Sequence, residues 1–228
     1  MKKVLLLSII FMAMASVVQA VPTLQLFIDG ATYNPFTQTW VTTTGSFDLY
    51  VVSANQAKAD VIVSLALAPT DNPADVDVNF DGTDINTSDW VNGYAPLDND
   101  PDEWDGGNDD LPRHGIFPTW FTEVHTGAYD LSSDVGDVQP DGNGDFWNPA
   151  SGDGTANAEG QVKMFHVETG GLFTYVHFDA YSLNSDGTVE YFAPHSHDAE
   201  VVPEPGTLAL LGTGLLGLGA FGLRRRKQ

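Results

Sequence analysis

The chain has 228 residues, no cysteine, and 31 acidic residues against 9 basic ones, for a formal net charge of −22. That balance excludes nucleic acid and anionic lipid headgroups as electrostatic partners of the main body of the chain and favours cations. Without cysteine there are neither disulfides nor thiolate metal sites.

Lys2 and Lys3 open the chain, the apolar run Val4–Val18 follows, and Val18-Gln19-Ala20 places small residues where a signal peptidase reads. A charged start, a short apolar middle and a small-x-small exit predict a signal peptide over 1–20, cleaved after Ala20. Beyond it, 21–201 reads as one exported domain. All of the chain's acidic residues except Glu204 fall there, against only Lys58, Arg113 and Lys163. Divalent ions would relieve such self-repulsion.

Period-two patterns dominate this domain. Leu24–Ile28 and Trp40–Thr44 are strand candidates, and Phe47, Leu49 and Val51 alternate with Asp48 and Tyr50. Val61–Ala68 is apolar on one face and nearly so on the other, which predicts a central strand. Thr119–Val124 and Val162–Val167 follow. Phe173, Tyr175, His177, Asp179 and Tyr181 then alternate with Thr174, Val176, Phe178 and Ala180, and Asn184–Gly187 predicts a hairpin turn into Val189–Phe192. Only Asn86–Asn92 could make a helical turn or two. The expected fold is all-β, an antiparallel, jelly-roll-like β-sandwich, with two long acidic loops, Pro69–Pro112 and Asp130–Glu159.

The loops carry the main chemical signals. Asp77, Asn79 and Asp81, followed by Gly82, match the first half of a looped calcium site, in which alternate oxygen-bearing residues curl around one ion. Asp84 lies within the same run, and Asp89 is a plausible distal carboxylate, one position off the standard twelve-residue spacing. That offset, and the lack of flanking helices, argue against an EF-hand or a dockerin half-repeat. The alternative is a solvated Asp/Asn turn. Asp141, Asn143 and Asp145 repeat the alternation, with Asp137 and Asp153 nearby. Asp98–Asp110 is a run of carboxylates better read as a solvated loop. Both Asp/Asn runs are expected to bind Ca2+. His195-Ser196-His197-Asp198 has the chemistry for zinc, completed by a ligand such as His114, His125 or His166.

Among the tryptophans, Trp120 is expected in the core. Trp90, Trp104 and Trp147 fall in loops and are expected to contact a ligand, as is His114 beside the acidic loop. Glu123 and Glu168, each in an apolar segment, are the best acid/base pair for a glycosidase-like reaction. No Gly-x-Ser-x-Gly, His-Glu-x-x-His or phosphate-binding glycine loop occurs.

At the other end, 202–228 reads as a sorting tail. Val202-Pro203-Glu204-Pro205-Gly206 precedes Thr207–Leu223, 17 residues that are almost entirely apolar or small, and Arg224-Arg225-Arg226-Lys227 closes it. As a helix the span reaches roughly 25 Å, the short limit for hydrocarbon, and the cations would hold its end in the cytoplasm. Pro203-Glu204-Pro205, the span, and Arg224, Arg225 and Arg226 in that order closely resemble the PEP-CTERM sorting signal. The resemblance implies a Gram-negative, polysaccharide-producing cell, transient anchoring in the inner membrane, and cleavage by an exosortase near the Pro-Glu-Pro motif.

Asn79–Ile85, Leu111–Trp120 and Ala193–Glu200 are similar to segments of the bacterial surface-protein family called choice-of-anchor N. That resemblance implies a domain fixed to a surface by interchangeable anchors, and carries no catalytic residue with it. The combined expectation is a calcium-stabilised, non-enzymatic module for extracellular polysaccharide or a surface protein. A surface hydrolase acting on sugar polymers and a purely structural coat protein are the alternatives.

Overall fold

The computed structural model describes residues 21–68, 71–97, 111, 116–170, 175–194 and 198–202. Fourteen strands run through them: β1 (Leu24–Ile28), β2 (Thr32–Asn34), β3 (Thr39–Thr42), β4 (Ser46–Ala54), β5 (Ile62–Leu67), β6 (Asp77–Phe80), β7 (Thr83–Ile85), β8 (Val91–Gly93), β9 (Thr119–His125), β10 (Ser133–Gly136), β11 (Ala156–Gly170), β12 (Val176–Leu183), β13 (Val189–Phe192) and β14 (Asp198–Val201). Helical structure among the described residues is confined to single 3-10 turns at Pro73–Asp75 and Thr87–Asp89. The predicted signal peptide with Ala20, and the tail with Pro203, Glu204, Pro205, Arg224, Arg225 and Arg226, lie outside the described residues.

The strands form two sheets. One runs β1-β4-β11-β6-β7, with β10 also on β11; the other runs β2-β3-β14-β12-β5-β9-β8, with β13 also on β12. The long β11 explains the first arrangement. One edge pairs with β4 over Gly160–Glu168, while the opposite edge pairs first with β10 and then with β6. Gly160 sits where β4 and β10 both approach, and a Cβ there would meet Ser53 O at 2.1 Å.

The all-β expectation is met, with one correction: β3 and β14 pair in parallel, so the second sheet is mixed. β14, which closes the domain, lies between β3 and β12, farther along the β12 edge that β13 also pairs with. Val61–Ala68 is central as predicted, since β5 is buried along its whole length between β12 and β9.

The sheets face each other across one core. Leu24, Leu26 and Ile28 of β1, Leu49 and Val51 of β4, and Val167 of β11 meet Val63, Leu65 and Leu67 of β5, Phe178 of β12, and Ala199 and Val201 of β14. Burial of these aliphatics from water is the main stabilising term. Phe27 and Trp40 join the two layers edge to face at 4.8 Å, and Phe146 packs on Trp40 at 4.9 Å. A second apolar cluster, Ile62, Ala66, Ala95, Leu111, Phe121 and Tyr181, covers the opposite face of β5 and β9.

Candidate functional sites

The segment read as a calcium loop, 77–89, is a hairpin. β6 and β7 pair with Asn79 opposite Asp84 and Phe80 opposite Thr83, leaving Asp81-Gly82 as a two-residue turn. Both turn residues have positive φ (50° and 82°), the geometry for which Asp-Gly is favoured. The alternation of oxygen-bearing residues therefore reflects a strand, whose alternate side chains share a face. Asn79 Nδ2 donates to Asp84 Oδ1 at 2.7 Å, and Gly82 N–H donates to Asn79 Oδ1 at 2.9 Å.

Asp89 serves elsewhere: its Oδ2 accepts from Asn86 N–H at 2.7 Å and caps the 3-10 turn. Among the described residues, Asp77, Asp81, Asp84 and Asp89 supply no group of three carboxylates close enough to share one ion. Asp77, Asn79 and Asp84 instead share a shallow cleft of about 320 Å³ with Ser46 and Glu168 of neighbouring strands.

The second Asp/Asn run, between β10 and β11, forms a larger cleft of about 760 Å³. Asp137, Asp141, Asp145 and Asp153 line it together with Asn148 and Phe146, while Asn143 is exposed on the turn at its rim. Buried Gln25 of β1 ties this loop to the sandwich, donating to Gly136 O and accepting from Val138 N–H. Asp141 Oδ1 accepts from the backbone N–H groups of Asn143 (2.7 Å) and Asp145 (3.0 Å). Those bonds hold its carboxyl below the usual carboxylate range. Asp137 Oδ1 is likewise bonded, to Gln139 N–H. The loop thus has a fixed shape that leaves Asp145 and Asp153 on the rim.

The tryptophan expectations need correction. Trp90 is 4 % exposed and Trp147 5 %, and both belong to the core. Trp147 is wedged under the larger cleft, where a Cβ on Gly136 would lie 2.5 Å from its own Cβ. Trp90 thus belongs to the core, while Trp147, though nearly buried, contributes with Phe146 to the floor of the larger cleft. Trp120 packs half-buried against the core as expected. Trp104, His114 and the Asp98–Asp110 run lie outside the described residues.

Glu123 and Glu168 belong to different sheets. Glu123 Oε1 accepts from Tyr181 OH at 2.5 Å and from Leu97 N–H. Its strand neighbours Phe121 and Ile62 place it on the face turned away from the common core. Glu168 projects from the outer face of the other sheet, its side chain 63 % exposed. The whole sandwich separates them, so they cannot act as an acid/base pair.

The most concentrated chemistry lies on the face of β12 and β14 turned away from the common core. Val176, Phe178, Ala180, Ala199 and Val201 point into that core, so alternation sends His177, Asp179, Asp198 and Glu200 the other way. All four are nonetheless buried, at 8 % exposure or less. His177 Nε2 lies 3.3 Å from Asp179 Oδ1 and 3.8 Å from Asp198 Oδ2, and Nδ1 lies 3.7 Å from Glu200 Oε2. Glu200 Oε2 also accepts from Tyr175 OH at 2.8 Å.

Burial alone would depress the His177 pKa, but Asp179, Glu200 and Asp198 reverse this and raise it well above the ordinary value. Burial would raise Glu200, yet His177 and Tyr175 bring it below its ordinary value. The run Tyr175-x-His177-x-Asp179, polar on one side of an otherwise apolar strand, together with Asp198-x-Glu200, is the sequence signal of this cluster. Asp198 was read with His195 and His197, which lie outside the described residues; in the fold its described neighbours are His177 and Asp179.

Residues 201–227 match the model of the PEP-CTERM protein-sorting motif. The motif implies export, membrane-anchored sorting to the cell surface and processing by an exosortase. No curated protein matches the chain. Among the described residues no helix is long and apolar enough to cross a membrane, and the expected spanning segment 207–223 lies outside them.

Proposed function

We propose that residues 21–201 are a calcium-stabilised, non-enzymatic module that works at the outer surface or in the matrix of a Gram-negative cell, engaging extracellular polysaccharide or a neighbouring surface protein. The sorting motif carries this reading. It begins at Val201, the last residue of β14, so the tail leaves directly from the sandwich. In the proposed sequence of events, signal peptidase removes 1–20, the span 207–223 holds the protein in the inner membrane, and an exosortase then cleaves near Pro203-Glu204-Pro205. The wider likeness to choice-of-anchor N proteins agrees with a domain whose role depends on being attached.

The larger cleft supports a binding role. Its rim combines carboxylates and amides over an aromatic floor, groups suited to hydroxyl-rich ligands and to Ca2+. Calcium at Asp145 and Asp153 would offset part of the loop's repulsion. The test is retention of the protein on a polysaccharide column, with and without millimolar calcium, alongside its melting temperature. Retention that needs calcium, with a calcium-dependent rise in melting, is expected. No retention and no thermal shift would reject the reading.

A further inference from the structure

We propose that His177, Asp179 and Asp198 bind one divalent transition-metal ion, with zinc, manganese or iron(II) as the fitting class, at a site separate from the larger cleft. One ligand atom from each residue lies within 4.8 Å of the other two. For metal–ligand bonds of about 2.1 Å, the two separations from Nε2, 3.3 and 3.8 Å, correspond to angles at the metal of roughly 100° and 130°. Those angles bracket the tetrahedral value. One imidazole and two carboxylates leave a coordination position open for water.

The surroundings are those of a supported ligand. Glu200 faces Nδ1, the imidazole nitrogen turned away from the two aspartates, and Tyr175 OH fixes Glu200 in turn. A carboxylate behind a ligating histidine sets its tautomer and raises its basicity. A second observation is independent of these four residues. Ser64 of β5 lies directly opposite Asp179 in the sheet, hence on the same face. It is fully buried, and its hydroxyl makes no hydrogen bond among the described residues. A metal-bound water would give that hydroxyl a partner.

Lys58 is held by Glu190 and Lys163 by Thr126 O. Arg113, the remaining cation of 21–201, lies outside the described residues, and the experiment therefore includes it.

The test uses the full-length chain, purified in detergent without chelator, and measures bound metal by elemental analysis and melting with and without EDTA. The chelator-stripped protein is then titrated with Co2+, read by its visible absorption. About one equivalent of transition metal, a melting temperature lowered by EDTA and restored by Zn2+, and a Co2+ spectrum undisturbed by excess Ca2+ are expected. His177→Gln and Asp198→Asn should abolish the cobalt signal. Glu200→Gln, a positioning change, should keep the signal and weaken affinity roughly 10–100-fold. Two results would overturn the proposal. One is a protein that takes up no Co2+ or Zn2+ and melts unchanged in EDTA. The other is a metal-free protein that Arg113→Ala destabilises as strongly as His177→Gln does, which would make arginine the counter-charge.

Discussion

Gln25 and Val138 are joined by a buried hydrogen bond, Val138 N–H to Gln25 Oε1 at 2.9 Å, while Gln25 Nε2 returns a bond of 3.0 Å to Gly136 O. One fully buried carboxamide thus satisfies two backbone groups of the loop that opens the larger cleft. Replacing it by leucine keeps the volume and strands both groups, each costing about 1–3 kcal/mol. Gln25→Leu should lower the unfolding free energy by roughly 2–6 kcal/mol. It should also speed proteolytic cutting within 137–155 more than elsewhere, measured by urea titration and limited digestion. A variant as stable as the parent, with the same cleavage map, would show that the loop does not depend on this clamp.

Lys58 and Glu190 make an asymmetric pair. The lysine side chain is 3 % exposed and the glutamate side chain 36 %, at 3.2 Å, and the ammonium also sits 3.5 Å from the Tyr191 ring centre. Removing the carboxylate leaves a buried charge without its counter-ion; removing the lysine leaves a carboxylate that water can reach. Glu190→Gln should therefore cost about 1–3 kcal/mol, and Lys58→Met less than about 1 kcal/mol. A thermal-melt double-mutant cycle checks this, and equal losses from the two single changes would contradict it.

His166 and Asp48 stand opposite each other on β11 and β4, 2.8 Å apart, with Glu168 Oε1 at 3.6 Å and Ser46 Oγ at 3.2 Å on the other ring nitrogen. The Asp48 hydrogen bond raises the His166 pKa above its ordinary value. A raised pKa in the folded state stabilises while the imidazole is charged. That contribution is complete below the unfolded value of about 6.5 and is lost as pH rises through the folded one. The melting difference between the parent and His166→Gln should be largest below about pH 6.5 and shrink as the pH rises above it. A difference that grows with pH would refute the assignment.

The sheets were legible because β5 and β12 carry their burial in the sequence: Val61–Ala68 is apolar at every position but Ser64, which admits few environments other than a central strand. The parallel β3/β14 pair was not legible. It joins residues about 160 positions apart, and no local pattern encodes it. Asp77–Asn86 folds as a hairpin where the sequence suggested a loop, because oxygen-bearing residues at every second position suit both an ion loop and the wet face of a strand. Asp81-Gly82, the turn signal, decided for the strand.

Trp90 and Trp147 were misplaced for a related reason. Loop-like flanking sequence says nothing about whether an indole faces outward, and the glycines that admit Trp147 become adjacent only in the fold. The histidine cluster was visible only in part. His177 and Asp179 share a strand face in the sequence, but Asp198 and Glu200 reach them through long-range pairing of β14 with β12.

The fit of Trp147 gives the sharpest steric prediction. A Cβ on Gly136 would lie 2.5 Å from the Trp147 Cβ and 2.3 Å from Thr155 O. On the other side, Gly154 has φ +97°, and a Cβ there would lie 2.8 Å from the Trp147 Cα. The Thr155 contact is backbone of the entry to β11 and cannot yield cheaply. Gly136→Ala must therefore push the indole out of the core, and emptying a buried tryptophan site costs about 3–5 kcal/mol. The variant should show red-shifted tryptophan emission and a stability loss close to that of Trp147→Ala. The chain has five tryptophans, so the emission shift must be referred to a Trp147→Phe background. If Gly136→Ala moves the emission equally there, the displaced indole is not Trp147 and the account of the cleft floor is wrong.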